Sequence, residues 1–406
     1  MNRKLHPFKE FTRPVFRVDD RSLDEKAEVF HQDIMTNWMF GPAGEFYWSM
    51  KPNDLGDAAI WQGMALFTYA ARNDEGMAAR LIQGIDHLIT LGKTNRIARG
   101  VDLNPHFGGK YAVDPSRKHY NDGEFSFIDD VSESSMIGIL FGLYGVKKFF
   151  PNTLLETHAD RLLMLMAEQV IKDGYRLINE DGTPAKFGDL RPSIWTAPIR
   201  IGTLAALLLL AYRASGSGDL LSRYQDIVRK HYGSLTHLET HVLSVHPYYQ
   251  DILAYMVYAM LVDMDNVNPN AVEGFSSAWG HLFARTNHEG NSFYIYLRHI
   301  IMKDVGQDYL DQAEKTLHEF NSDPSKGRTG REPGSVKNSG GPFDDRPRFN
   351  LKTFKDKARQ PVPVSLRAAA DNYWQRDPYS LDGHSDSSHN RLDFLTAKAL
   401  KDRAGV

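Results

Sequence analysis

Apolar residues recur along most of the chain at helical rather than alternating spacing, so helix is the expected state of its long segments. A first helix is predicted over Leu23–Phe40. A second runs from near Asp54 through Trp61 to Arg72, where Asn73-Asp74-Glu75-Gly76 breaks the pattern. A third covers Met77–Gly92, with Gly92 suited to a left-handed cap. Glu133–Phe150 is stopped by Pro151, Leu154–Asp173 by Gly174, and Ile199–Ala214 by Ser215-Gly216-Ser217-Gly218. Asp219–Tyr232, Tyr248–Asp263, Asn270–Arg285, Ser292–Met302, Gln307–Phe320 and His389–Arg403 complete a set of twelve helices. The stretch between Gly92 and Glu133 and the stretch Tyr175–Pro198 are expected to be long polar loops. Residues 321–379, rich in Gly, Pro and Arg, are expected to form an irregular arm.

The helices alternate in character. Those beginning at Leu23, Met77, Leu154, Asp219, Asn270 and Gln307 carry a polar face, while the intervening six are apolar nearly all round and carry small residues such as Gly63, Gly138, Gly142, Gly202 and Ala254. A helix apolar on every side must be buried, and one with a polar stripe faces solvent. Six of each in alternation predict an all-α fold, an (α/α)6 toroid of six helical hairpins, as one domain over 1–406. An α-solenoid is the bland alternative. Inner-to-outer connections are short (Asn73–Gly76, Pro151–Thr153, Ser215–Gly218) and outer-to-inner ones long, which favours the closed form and places function on the long-loop side.

Composition narrows the function. At 406 residues, 42% hydrophobic and 24% charged, the chain can bury a large core. A net charge of −3 offers no bulk attraction to nucleic acid or to an anionic membrane, so neither is an expected partner. The absence of cysteine removes disulfides, thiolate catalysis and Cys-ligated zinc. The first ten residues are too charged for a signal peptide, and no run reaches the ~18 apolar residues of a membrane span, so a soluble chain is expected.

The starts of the inner helices are unusually polar. They comprise Asp54–Gln62 with Asp57, Asp129–Ser135, Arg191–Thr196, His246–Asp251, Asn287–Ser292 and Gly383–Arg391. Asp129, Asp130 and Glu133 sit together, and Asp251, Glu289 and Asp386 enter from other hairpins. Any one of these acids is most simply a helix N-cap, but capping does not require so many at one end. Asp129-Asp130-x-x-Glu133 also matches a short magnesium-diphosphate pattern, with no second metal motif to support it. No histidine pair has the i, i+4 spacing of a helical zinc site, and Gly108-Gly109-Lys110 lacks the P-loop spacing. No metal or cofactor is predicted.

Alternating hairpins with polar residues at each inner-helix start resemble the six-hairpin glycosidase group of (α/α)6 carbohydrate-active enzymes. The resemblance is one of architecture over nearly the whole chain and implies an oligo- or polysaccharide substrate. Within it, inverting glycoside hydrolysis needs a protonated acid and a second carboxylate ~6.5–9.5 Å away, which different inner helices can supply. Asp129, Asp130 or Glu133 is then one catalytic group and Asp251, Glu289 or Asp386 the other. Trp61, Gln62, Trp195, Tyr248, His288, His384 and His389 are the candidate substrate-binding residues, the aromatic ones as flat faces for sugar rings. Arg96 and Arg99 are candidates to hold an acidic sugar or to pair with Asp102 and Asp114. The alternative is a polysaccharide lyase, with His246 or Tyr249 as base and Arg191 or Arg200 neutralising a uronate carboxyl. A sugar epimerase and a non-catalytic glycan-binding protein complete the alternatives. For the 321–379 arm the candidate roles are to cover the mouth, to contact a neighbouring subunit in a homo-oligomer, or to stay mobile.

Overall fold

The computed structural model describes residues 19–47, 58–92, 96–103, 119–192, 198–238, 247–289, 291–320 and 389–406. Twelve α-helices lie among them. They are α1 (Leu23–Asn37), α2 (Ala58–Ala71), α3 (Glu75–Thr90), α4 (Glu133–Phe149), α5 (Leu154–Lys172) and α6 (Pro198–Ser215), then α7 (Gly218–Leu235), α8 (Pro247–Met264), α9 (Pro269–Thr286), α10 (Ser292–Met302), α11 (Gln307–His318) and α12 (His389–Ala404). The predicted alternation holds. Every residue of α2 after Ala58 is buried, as are Ser134–Val146 of α4, Ile201–Ala211 of α6, Asp251–Leu261 of α8 and Leu392–Leu400 of α12. The odd-numbered helices instead bury one stripe, as α5 does with Leu155, Ala159, Leu162, Leu163, Met166 and Val170.

Side-chain caps start several of these helices. Ser22 and Glu25 form a capping box at α1, and Asp74, Ser132, Thr153, Asn268 and Asn291 each accept a backbone N–H at the first turn of their helix.

The even-numbered helices pack in sequence, α2 on α4, α4 on α6, α6 on α8, α8 on α10 and α10 on α12, and α12 returns to α2. Each odd-numbered helix from α3 to α11 packs on the even-numbered one just before it in the chain, and α1 packs on α12. The contact of α2 with α4 is a backbone approach: a Cβ on Gly63 would lie 1.9 Å from the Gly138 carbonyl oxygen. One turn further on, Phe67 stacks on Phe141 with ring centroids 4.0 Å apart and lies against Gly145, so the two helices run in the same direction. Thr68 and Thr396 share a hydrogen bond of 2.5 Å between α2 and α12. Tyr144 and Lys148 of α4 both donate to Asp263 near the end of α8, at 2.8 and 2.7 Å.

The two stretches expected as loops each carry short strands. In the first, β3 (Gly100–Leu103) and β4 (His119–Asp122) flank β5 (Phe125–Ile128) in an antiparallel sheet. In the second, β6 (Arg176–Ile178) pairs with β7 (Pro184–Asp189). A further pair, β1 (Met39–Phe40) with β2 (Phe46–Tyr47), ends α1 at Asn37, short of the predicted Phe40. The strands are two to six residues long, too short for alternation to register; the β4–β5 turn is a two-residue one, Gly123-Glu124, that opens on a positive-φ glycine (φ 60°). Residues 321–379 lie outside the described set. Among the described residues, no helix is long and apolar enough to cross a membrane.

Because the α2–α4 approach admits no Cβ, Gly63→Ala or Gly138→Ala is expected to cost at least about 1–3 kcal/mol by overpacking. Gly218→Ala, where an added Cβ meets nothing within 4 Å, is expected to cost close to nothing. Urea denaturation of the three variants checks this, and equal midpoints would contradict the close approach.

Candidate functional site

Asp129 and Asp130 occupy the link from β5 to α4. Asp130 adopts a left-handed backbone (φ 64°), uncommon outside glycine but tolerated by Asp. Three contacts hold it there. Its N–H donates to Asn179 Oδ1 at 2.9 Å, its Oδ1 accepts from the Lys186 N–H at 2.7 Å, and its carbonyl accepts from Arg99 Nη1 at 2.9 Å. Asp130 therefore fastens the β6–β7 hairpin and the segment before β3 to the start of α4. Its carboxylate is engaged in structure.

Asp129 differs. It is buried, its Oδ2 accepts from the Glu180 N–H at 3.1 Å, and burial pushes its carboxyl above the usual carboxylate range. The Glu180 N–H and the Tyr120 phenol beside it oppose that shift without cancelling it. Tyr120 Oη is buried with no well-directed hydrogen bond, and its pKa is raised first by burial and then by the Asp129 charge. Four residues on, Glu133 opens α4. Its Oε1 lies 3.5 Å from Arg200 Nε at the start of α6, and its Oε2 is buried without a partner.

A second group forms where α8 and α10 begin. Asp251 is 1% exposed and accepts from Arg285 Nη2 at 3.0 Å. Glu289, in a short 3-10 turn (Asn287–Glu289), is also buried. Both lie close enough to Tyr255 for their charges to raise its phenol further, after burial as the main cause, while the hydroxyl bonds Thr286 Oγ1 at 2.7 Å. Gln250 Oε1 is buried without a partner, and Tyr249 packs half-buried against the core. The structure thus joins Asp129 with Glu133 in one cluster and Asp251 with Glu289 in another. Both lie at the end of the bundle where inner helices start.

Other predicted site residues fall elsewhere. Gln62 is committed to the fold: its Nε2 donates to the carbonyls of Glu45 and Leu81 at 2.8 and 2.9 Å, and its Oε1 accepts from the Tyr47 N–H at 2.8 Å. Trp61 is 3% exposed and belongs to the core. Arg96 faces Asp173 at 3.7 Å. Arg191 is an exposed clamp on Asp189, its Nε donating to Oδ1 at 2.9 Å and its Nη2 to Oδ2 at 2.5 Å. Asp57, Asp114, Trp195, His246, His384 and Asp386 lie outside the described residues. Tyr248, His288 and His389 are placed only by backbone, in the first turn of α8, the 3-10 turn and the first residue of α12; their side chains lie outside the described set.

Sequence reasoning did not reach Tyr120, Asn179, Glu180, Lys186 and Arg285. The first four sit on or between strands read as loop, and Arg285 ends an outer helix. Among the described residues, no group of three or more His, Asp and Glu is disposed to hold a metal ion. Comparison of the chain with protein-family models, curated proteins and solved structures finds no match.

Since Asp129 keeps its proton to higher pH folded than unfolded, its contribution to stability is present at low pH and lost as pH rises through the folded pKa. Asp129→Asn, which imitates the protonated form, is expected to raise the melting temperature at pH 7, and the gap should close below about pH 4. Thermal melts across that range test this; a lower melting temperature at pH 7 would contradict it.

Proposed function

We propose that the chain is an (α/α)6 toroid of six helical hairpins and acts as a glycoside hydrolase on an oligo- or polysaccharide, by inversion. The toroid reading is supported by the packing order of the inner helices, in which α12 returns to α2. The catalytic reading is carried by one observation: two buried carboxyls at the same end of the bundle live in opposite environments. Asp129 is held toward its protonated form by burial, while Asp251 is ion-paired to Arg285. Titratable pairs whose surroundings drive them apart are the usual basis of acid and base roles.

In this mechanism Asp129 is the general acid. Its proton goes to the glycosidic oxygen as the C1–O bond breaks, and the departing sugar leaves as an alcohol. Asp251 takes a proton from a water that attacks C1 from the opposite face, so the anomeric configuration inverts. Arg285 keeps the Asp251 carboxylate placed, and the Glu180 N–H fixes the rotamer of Asp129. Glu133, with one buried oxygen unpartnered, is placed to accept from a sugar hydroxyl. Tyr249, half-buried at the start of α8, offers a flat edge at the same rim.

The test is release of reducing ends from a panel of neutral and acidic polysaccharides. Asp129→Asn and Asp251→Asn should each lower kcat about 10²–10⁴-fold with KM little changed. Full activity in both variants would overturn the assignment. A product absorbing in the ultraviolet would replace hydrolysis by β-elimination, and absence of turnover on every glycan would leave glycan binding.

A further inference from the structure

A general acid has to part with its proton and regain it, so its surroundings must serve the carboxyl in both states. At Asp129 one neighbour is placed for the ionised state. In the β3–β5–β4 sheet Tyr120 stands directly opposite Phe127, and the two rings stack with centroids 5.3 Å apart. Side chains alternate from face to face along a strand, and Asp129 follows β5 directly, two residues beyond Phe127. It therefore continues the face that carries both rings. That puts it one diagonal step from Tyr120, within reach of an aromatic side chain. Phe127 is itself buried and backs the Tyr120 ring, which leaves the hydroxyl to turn about its C–O bond.

Tyr120 Oη is buried, and among the described residues it makes no well-directed hydrogen bond. An unmet buried hydroxyl opposes folding, whereas a phenylalanine would pack the same ring without that cost. Burial, and then the negative charges of Asp129, Asp181 and Glu180, keep the phenol protonated. Tyr120 is therefore a donor and not a base.

The other groups around Asp129 are committed elsewhere or act against its charge. Glu180 gives its N–H to Oδ2, while the charge of Asp181, the next residue between β6 and β7, opposes ionisation. Asp130 is taken up by Asn179, Lys186 and Arg99, and Glu133 faces Arg200. Tyr120 is the side-chain donor beside the carboxyl.

We infer that Tyr120 is the positioning residue of Asp129, its hydroxyl turning to donate to the carboxylate once the proton has gone to the glycosidic oxygen. This rests on the hydrolase reading above and deepens it by naming the residue that sets the pH range over which the acid works. The donated bond stabilises the charged form above the neutral one, so Asp129 yields its proton more readily than burial alone would let it.

The experiment titrates full-length protein, isotope-labelled at its Asp carboxyls, by nuclear magnetic resonance, with the Asp129 signal assigned by its loss in Asp129→Asn. Tyr120→Phe, which keeps the ring, should raise the Asp129 midpoint by about one pH unit. Replacing Tyr120 by a ring-fluorinated tyrosine, a stronger donor, should lower it. Activity at high pH is lost as the acid ionises, so on a glycan that the parent protein turns over Tyr120→Phe should move the upper limb of the pH profile to higher pH. It should also lower kcat by up to about tenfold with KM unchanged. Melting curves confirm that each variant is folded.

An Asp129 midpoint that Tyr120→Phe leaves in place or lowers would overturn the inference. So would a fall in kcat with the upper limb unmoved, since Tyr120 would then only shape the fold. Shifted midpoints in a protein that turns over no glycan would keep the bond from Tyr120 to Asp129 and sink the hydrolase reading. Turnover that Asp129→Asn abolishes, with the midpoint indifferent to Tyr120, would do the reverse.

Discussion

A helix enclosed on every side can offer polar groups to the outside only at its ends, and that constraint organises this protein. The inner helices approach so closely at Gly63 and Gly138 that no side chain fits between them. Most polar atoms along their lengths find partners within the bundle. Thr203 bonds back to the Ile199 carbonyl, and Thr68 bonds both the Met64 carbonyl and Thr396. Whatever chemistry the chain performs is thereby pushed to a rim. The rim at which the inner helices start is where Asp129, Glu133, Asp251 and Glu289 are found.

The helical frame was legible in the sequence because its signal is long. Six segments apolar all round and six with one polar face fixed twelve helices to within a few residues, and Pro151, Gly174 and Ser215-Gly216-Ser217-Gly218 ended them where expected. The strands were not legible by alternation because none exceeds six residues. The strand-borne partners of the site therefore went unseen. Asp129 and Asp130 stood out as a pair, but nothing local separates the carboxylate that clamps the Lys186 backbone from the one pushed toward protonation. That difference is made by Asn179, Glu180 and Lys186, about fifty residues away in the chain. The partners of Gln62 were hidden for a similar reason, since they come from β2 and its neighbourhood and from α3.

The rim is assembled at some expense to stability. A buried carboxyl at Asp129, a left-handed Asp130 and the unmet Tyr120 hydroxyl each oppose folding. Caps at Ser22, Asp74, Ser132, Thr153, Asn268 and Asn291, and a core filled with stacked rings such as Tyr255 on Tyr294 at 3.9 Å, act in the other direction.

The shared direction of α2 and α4, repeated where α4 meets α8, has an electrical consequence. Each helix places roughly half a positive charge at its start and half a negative charge at its end, and parallel neighbours add. At the far rim the chain answers with cations, Lys147 and Lys148 in the last turn of α4, Arg213 in that of α6, and Lys401 and Arg403 in that of α12. At the near rim the carboxylates sit in a field that favours their charge, and at Asp129 burial works against it. Side-chain charge thus offsets the helix termini at both ends of the bundle, and Lys147 and Lys148 do so while paired with Glu156, Asp160 and Asp263.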